Sequence, residues 1–320
     1  MRIDVHNHAL PDPVIELLRQ EDAYGVKVEN GIVSSGKLSD HPLFPGQHDP
    51  AAKLAELESR EIEAAIMSLE PRMLAYDLSL DHGLAMAEAT NRGLAEMAAH
   101  DAQHLFWLAQ VPLQDPDAAA ETLRTAVADG AVGAAIGSWT GTHRLDDNRF
   151  EVFWQAVEDA GVPVFIHNAY NQPIAALKDF YLGNVIGNPL ETTICAERLV
   201  MSGTLDRHPG LRIVLAHAGG FFPWQAGRLR HARTVRAELA DAPTDPWSYA
   251  GQLIFDTITH DVQALKYMVS RVGQENVVLG TDLPYDMSTP KPMTELREAV
   301  GDEVAAVIAE QNPARLFGIA

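Results

Sequence analysis

Two histidines separated by a single residue, His6 and His8 in the opening MRIDVHNH, are the first side chains along the chain able to do chemistry. In an extended strand, residues two apart project to the same face. Two imidazoles so placed suit zinc or another borderline divalent metal. In a chain with 13 histidines such a pair carries little weight alone. Its company matters more: His167 closes the apolar run VPVFIHN, His217 closes RIVLAH, and Asp282 closes VVLGTD. The pattern assembles His6, His8, His167 and Asp282 as ligands of one ion and leaves His217 to face an open coordination position. The run VGAAIGSW offers no lysine, glutamate or histidine to bridge a second ion, so a mononuclear site is expected.

These residues need elements that bring them together. Eight short runs rich in Val, Ile, Leu and Ala recur, at 2–8, 64–71, 105–113, 132–139, 162–168, 212–220, 253–260 and 276–285. Their near-continuous apolar character fits strands covered on both faces. Segments with helical spacing and recognisable ends lie between them. DPAAKLAELESREIE opens with an Asp cap and Pro, DPDAAAETLRTAVADG repeats the device and stops at Gly130, and NRFEVFWQAVEDAGVP stops at Gly161. Eight strand–helix units predict an α/β fold, a single-domain (β/α)8 TIM barrel over residues 1–320, with its chemistry at the C-terminal strand ends. Residues 21–47, rich in Gly, Ser, Asp and Pro, are too long for an ordinary connection and predict a small lid or hairpin after the first strand. Residues 170–189 predict a second substrate loop.

Composition narrows the function. Hydrophobic residues form 47% of the 320, enough for a large core. Lys and Arg total 24 against 44 Asp and Glu, a net charge of -20 that argues against nucleic acid and anionic membranes as partners. The only cysteine, Cys195, excludes an intrachain disulfide and fits a reducing cytoplasm; its helical setting reads as core rather than nucleophile. No secretory signal or membrane span is expected.

The ordered segments DVHNH (4–8), FIHN (165–168), NPLETT (188–193), HPGLRIVLAHAGGFFPWQAGR (208–228), FDTITHD (255–261) and VVLGTDLPY (277–285) extend over nearly the whole chain. Together they resemble the amidohydrolase superfamily, in the branch related to aminocarboxymuconate-semialdehyde decarboxylase. The resemblance implies a metal-dependent barrel, most such enzymes being nonoxidative decarboxylases and some lactone hydrolases or hydratases. It implies zinc, or alternatively manganese, on His6, His8, His167 and Asp282, with His217 as acid/base. It also matches Arg228 to an arginine presented to the substrate of a neighbouring subunit, implying a homodimer. One departure concerns the substrate. The decarboxylase of that name holds a carboxylate with an arginine in the loop before its first helix, whereas HPLFPGQHDP (41–50) has none. Arg72 is a candidate to supply the missing charge or to pair with Glu70, and His48 is a weaker substitute. His260 is a candidate substrate contact or partner of a ligand, and Trp224 and Tyr285 are candidates for the pocket wall or the barrel rim.

Two reactions use these parts. In decarboxylation of a small carboxylated aromatic or muconate-like acid, His217 and Asp282 move protons as CO2 departs. In hydrolysis or hydration, metal-activated water attacks a carbonyl or alkene.

Overall fold

The computed structural model describes all residues except 36–37, 142, 170–173, 243–244, 250 and 320. Each of the eight apolar runs contains a strand: Ile3–Ala9, Ala64–Leu69, Leu105–Trp107 with Ala109–Gln110, Ala134–Gly137, Val164–His167, Ile213–Leu215, Leu253–Asp256 and Val277–Val278. Every neighbouring pair is parallel. The third strand is interrupted at Leu108, whose N–H still reaches Met67 O at 2.9 Å. The eighth closes on the first through Val5 N to Leu279 O (2.9 Å), Asp282 N to His6 O (2.9 Å) and His8 N to Leu283 O (2.8 Å). The closed barrel is the fold expected from the alternation of runs.

Period-2 alternation divides the strands between two cores. Ile3, Val5, Ile66, Phe165, Val214, Ile254 and Val278 fill the barrel. Met67, Trp107, Ile136, Ile166, Leu215 and Phe255 face the surrounding helices. The helix ends follow the sequence signals. Asp49 accepts from Ala51 and Ala52 ahead of Pro50–Glu58, Asp115 accepts from Ala118 ahead of Pro116–Ala128, and Gly161 takes the left-handed conformation (φ 65°) after Glu151–Ala160. Each such Asp N-cap contributes about 1 kcal/mol.

The described part of residues 21–47 forms a flap built on a three-stranded antiparallel sheet of Lys27–Glu29, Ile32–Ser35 and Leu38–Pro42. Its Val26, Val28 and Val33 pack with Leu10, Val14, Leu18, Met73 and Met86, anchoring it to the helices Asp12–Gln20 and Leu80–His100. Residues 170–173 of the second expected loop lie outside the described residues; the rest holds the short turns Ala175–Leu177 and Gly183–Gly187. Cys195 is buried in the helix Asn188–Met201, and burial raises its thiol well above the ordinary range, as suits a core residue. Among the described residues no helix is long and apolar enough to cross a membrane.

Candidate metal centre

His6 and His8 both point into the barrel, but simple alternation does not take them there. Ile3 and Val5 already face inward. The pairing with the second strand slips by one residue between Asp4 and Asn7. Such a bulge changes the parity of a strand and re-aims the side chains beyond it. His6 thereby lies over Phe165, ring centroids 4.8 Å apart, and faces His167 at 5.2 Å. Gly280 of the closing segment permits this: a Cβ there would stand 2.9 Å from the Cβ atoms of both His6 and Asp256.

His6, His8, His167 and Asp282 are all buried, and one donor atom from each lies within 4.8 Å of every other. The hydrogen bonds of the three imidazoles decide what those atoms are. His167 Nδ1 lies 3.0 Å from the Asn168 carbonyl, which only accepts. His6 Nδ1 lies 2.7 Å from the Asp256 carboxylate. His8 Nδ1 lies 3.1 Å from Ser68 Oγ, which can pass its own proton to Asn7 O at 3.3 Å. Each ring therefore turns its Nε2 inward; on His8 and His167 that atom is a bare lone pair, and on His6 it carries the proton that a metal would displace. Nε2 of His6 and Nε2 of His8 stand 3.1 Å apart, with Asp282 Oδ1 at 3.3 and 3.2 Å from them. Lone pairs and a carboxylate converging on one point fit a divalent cation, and imidazoles held by acceptors at Nδ1 are the usual support of one.

Burial keeps two of these rings neutral, pushing His8 down to about 4 and His167 well below the ordinary histidine value. Burial pushes His6 the same way, but the Asp282 and Asp256 carboxylates outweigh it and raise His6 to about 10. A cation entering the site thus competes with one proton on His6, whose release becomes easier as pH rises. Metal loading at neutral pH is expected to liberate about one proton per chain, and affinity should climb with pH up to about 10. A pH-stat titration with ZnCl2 checks both signs.

His217 is near this cluster, with Nε2 3.8 Å from Asp282 Oδ2 and its ring 5.0 Å from that of His167. It does not close the sixth strand, as expected, but lies two residues beyond Leu215, in a turn where His217 and Ala218 both have φ of 55°. Asp256 holds that turn, accepting from His217 N at 2.9 Å and Ala218 N at 2.7 Å. Backbone strain of this kind persists only where its surroundings over-determine it.

Several important residues escape a reading of the sequence. Asp256, the real end of the seventh strand, is fully buried and ties His6 to the His217 turn. Its signal was an acid terminating an apolar run, as in the eighth. Lys53 is also buried; its ammonium contacts Asn7 Oδ1 and donates to His8 O at 3.0 Å, and burial lowers it to about 8. Asp4, raised by burial to about 6, accepts from Asn7 and Thr281 at 2.8 and 2.6 Å and so ties the first strand to the closing segment.

Other candidates lie elsewhere. His260 sits four residues beyond the seventh strand, exposed and near Glu295 of the outer helix Pro292–Val300. Trp224 is 41% exposed and stacks on Tyr267 at 6.1 Å, on an outer helix. Arg228 is exposed on that same helix, Phe222–Val235, and makes no ion pair among the described residues. His48 pairs with Asp12 at 3.4 Å. His41 of the flap instead faces inward, 3.1 Å from Glu70 Oε1 and edge-on to Tyr285, which lies 5.4 Å from the His8 ring. Arg72 donates from Nε to Glu70 at 2.6 Å.

The amidohydrolase family model matches residues 3–319. This chain belongs to the amidohydrolase family. It is 27% identical over 302 residues to the 2-amino-3-carboxymuconate-6-semialdehyde decarboxylase of Dictyostelium discoideum, covering 91% of this chain and 84% of that one. With the gamma-resorcylate decarboxylase of Rhodococcus jostii it shares 31% identity over 258 residues, covering 73% and 77%. Its fold matches the 5-carboxyvanillate decarboxylase of Novosphingobium aromaticivorans, crystallised with manganese, at a TM-score of 0.85 and 20% identity over 99% of this chain and 96% of that one. These similar proteins are all decarboxylases of small carboxylated molecules, by their names.

Proposed function

We propose that this amidohydrolase-family chain is a nonoxidative decarboxylase, a carboxy-lyase, using one divalent ion to act on a small carboxylated aromatic or muconate-like acid. The convergence of three Nε2 atoms with Asp282 carries the metal reading. The decarboxylases among its relatives carry the reaction. Zinc suits three imidazoles and a carboxylate, and manganese, present in the carboxyvanillate enzyme, is the alternative.

Held by His6, His8, His167 and Asp282, the ion would supply Lewis acidity toward a substrate oxygen. The protein's own groups handle the proton. Asp282 divides its oxygens, Oδ1 toward His6 and His8 and Oδ2 toward His217. His217 gives a proton to the ring carbon that bears the carboxylate; the C–C bond then breaks, its electron pair returns to the ring, and CO2 leaves. Asp256 keeps the His217 turn, and hence the donor, in place.

Incubating metal-loaded protein with carboxylated aromatics, muconates and lactones, with CO2 release and ring opening followed separately, tests this. CO2 from at least one acid is expected; lactone opening with no CO2 from any acid would instead indicate a hydrolase, the rival use of the same site. The protein is further proposed to work in the cytoplasm as a homodimer in which Arg228 reaches a partner's substrate. Its exposure on an outer helix supports that role. Mixing Arg228→Ala with His217→Ala subunits should restore about a quarter to a half of wild-type activity if sites are shared. A verified mixed dimer with no recovery would rule sharing out.

A further inference from the structure

One buried network fastens the backbone of three of the four metal donors. Its members Asp4, Asn7, Lys53 and Thr281 are each no more than 1% exposed. Asp4 Oδ1 accepts from His6 N and Thr281 N, both at 3.1 Å, and Asp4 Oδ2 accepts from Asn7 Nδ2 at 2.8 Å and Thr281 Oγ1 at 2.6 Å. Thr281 Oγ1 in turn accepts from Leu283 N at 3.1 Å. Both neighbours of Asp282 are thus held, and Asp282 itself stands between them with φ of 67°. Lys53 enters the network from the helix Pro50–Glu58, its ammonium touching Asn7 Oδ1 and donating to His8 O at 3.0 Å.

Lys53 is the member that packing alone does not account for. Both of its contacts are neutral oxygens, and it makes no ion pair among the described residues. A buried charge without a charged partner is costly, and an apolar side chain of similar volume fills a core position at lower free energy. What an apolar side chain cannot do is hold Asn7 Oδ1 and His8 O together. Those two groups follow directly on the place where the first strand gains its extra residue, the pairing with the second strand running from Asp4 with Ala65 to Asn7 with Met67. Loss of that bulge would shift the register by one residue and turn His6 and His8 away from the barrel interior.

We infer that Lys53 is a positioning residue of the metal centre. It locks the bulge of the first strand through Asn7 and the His8 carbonyl, and so sets the geometry in which His6, His8 and Asp282 meet a cation. The inference rests on the metal reading and is independent of the reaction performed.

Cobalt(II) is the probe, because its visible absorption reports coordination geometry. Metal-stripped wild-type chain, Lys53→Met, Asn7→Leu and the double variant are titrated with CoCl2, and zinc affinity is read by competition with a chelating dye, each well below the protein's Tm. Methionine keeps the bulk of the side chain without its donors. Lys53→Met should bind zinc about 10–100-fold more weakly, the range for lost support of a metal ligand, and its cobalt spectrum should differ from wild type. Asn7→Leu should act in the same direction, and the double variant should lose less than the product of the two single losses, because the two residues share one contact. A Lys53→Met protein with wild-type cobalt spectrum and zinc affinity, whatever its Tm, would make Lys53 a packing residue and overturn the inference; so would single losses that multiply in full. If Lys53→Met does not fold, Asn7→Leu decides by the same two readings, and wild-type values overturn the inference. Failure of the wild-type chain to bind either ion would instead refute the metal reading, and this inference with it.

Discussion

His217→Ala is expected to lower CO2 release by about 10²–10⁴-fold, the usual contribution of a positioned acid or base, while the bound metal stays nearly constant. The expectation follows from position. His217 stands outside the four-donor set, 3.8 Å from the Asp282 oxygen that faces away from His6 and His8. Removing its imidazole takes away a proton carrier and leaves the three inward Nε2 atoms and Asp282 as they were. Metal analysis beside a CO2 assay on the same preparation reads both halves. Simultaneous loss of metal and activity would mean that His217 is a ligand.

Asp256→Asn should have the other large effect, with the opposite signature: metal affinity falls about 10–100-fold, the range seen when the partner of a metal-bound histidine is lost. Asp256 accepts from His6 Nδ1 at 2.7 Å, His217 N at 2.9 Å, Ala218 N at 2.7 Å and Ile258 N at 3.0 Å. Asparagine preserves the volume but has one acceptor oxygen in place of two, whereas Oδ2 accepts from His6 and His217 N and Oδ1 from Ala218 N and Ile258 N. With the amide nitrogen at the Oδ2 position His6 loses the bond that fixes its tautomer, with it at the Oδ1 position the His217 turn loses Ala218 N, and in both the negative charge that holds His6 is gone. Competition with a chelating dye gives the affinity, and turnover at saturating metal gives the separate cost to His217. Unchanged affinity would remove Asp256 from the support of the metal.

The barrel and four of the site's residues were legible because closed parallel barrels gather strand ends at one mouth. His6, His8, His167 and Asp282 needed only to be recognised at the ends of apolar runs. Even there the route differed: a one-residue slip between Asp4 and Asn7 aims His6 and His8 inward, and no local pattern in DVHNH announces it. The supporting residues were less legible because their roles depend on where a strand stops. The run LIFDTITH stops at Asp256, so Asp256 takes the inward place and His260 falls outside. Lys53 resembles a surface lysine on a helix, yet one turn before the buried Leu57 it shares the covered face. The loop before that helix offers two histidines, and only tertiary packing chooses His41 over His48. Trp224 is aromatic in a suggestive segment, but its neighbour is Tyr267 on an outer helix.

One measurement bears most directly on the central claim. Protein stripped of metal by chelation is titrated with zinc, and in a second series with manganese, while CO2 release from the most active acid of the panel is recorded. Release should rise in proportion to added metal and level off at one ion per chain, the capacity of the cluster of His6, His8, His167 and Asp282, the one found among the described residues. A plateau at two ions per chain, or CO2 release indifferent to metal, would contradict a mononuclear metal-dependent decarboxylase.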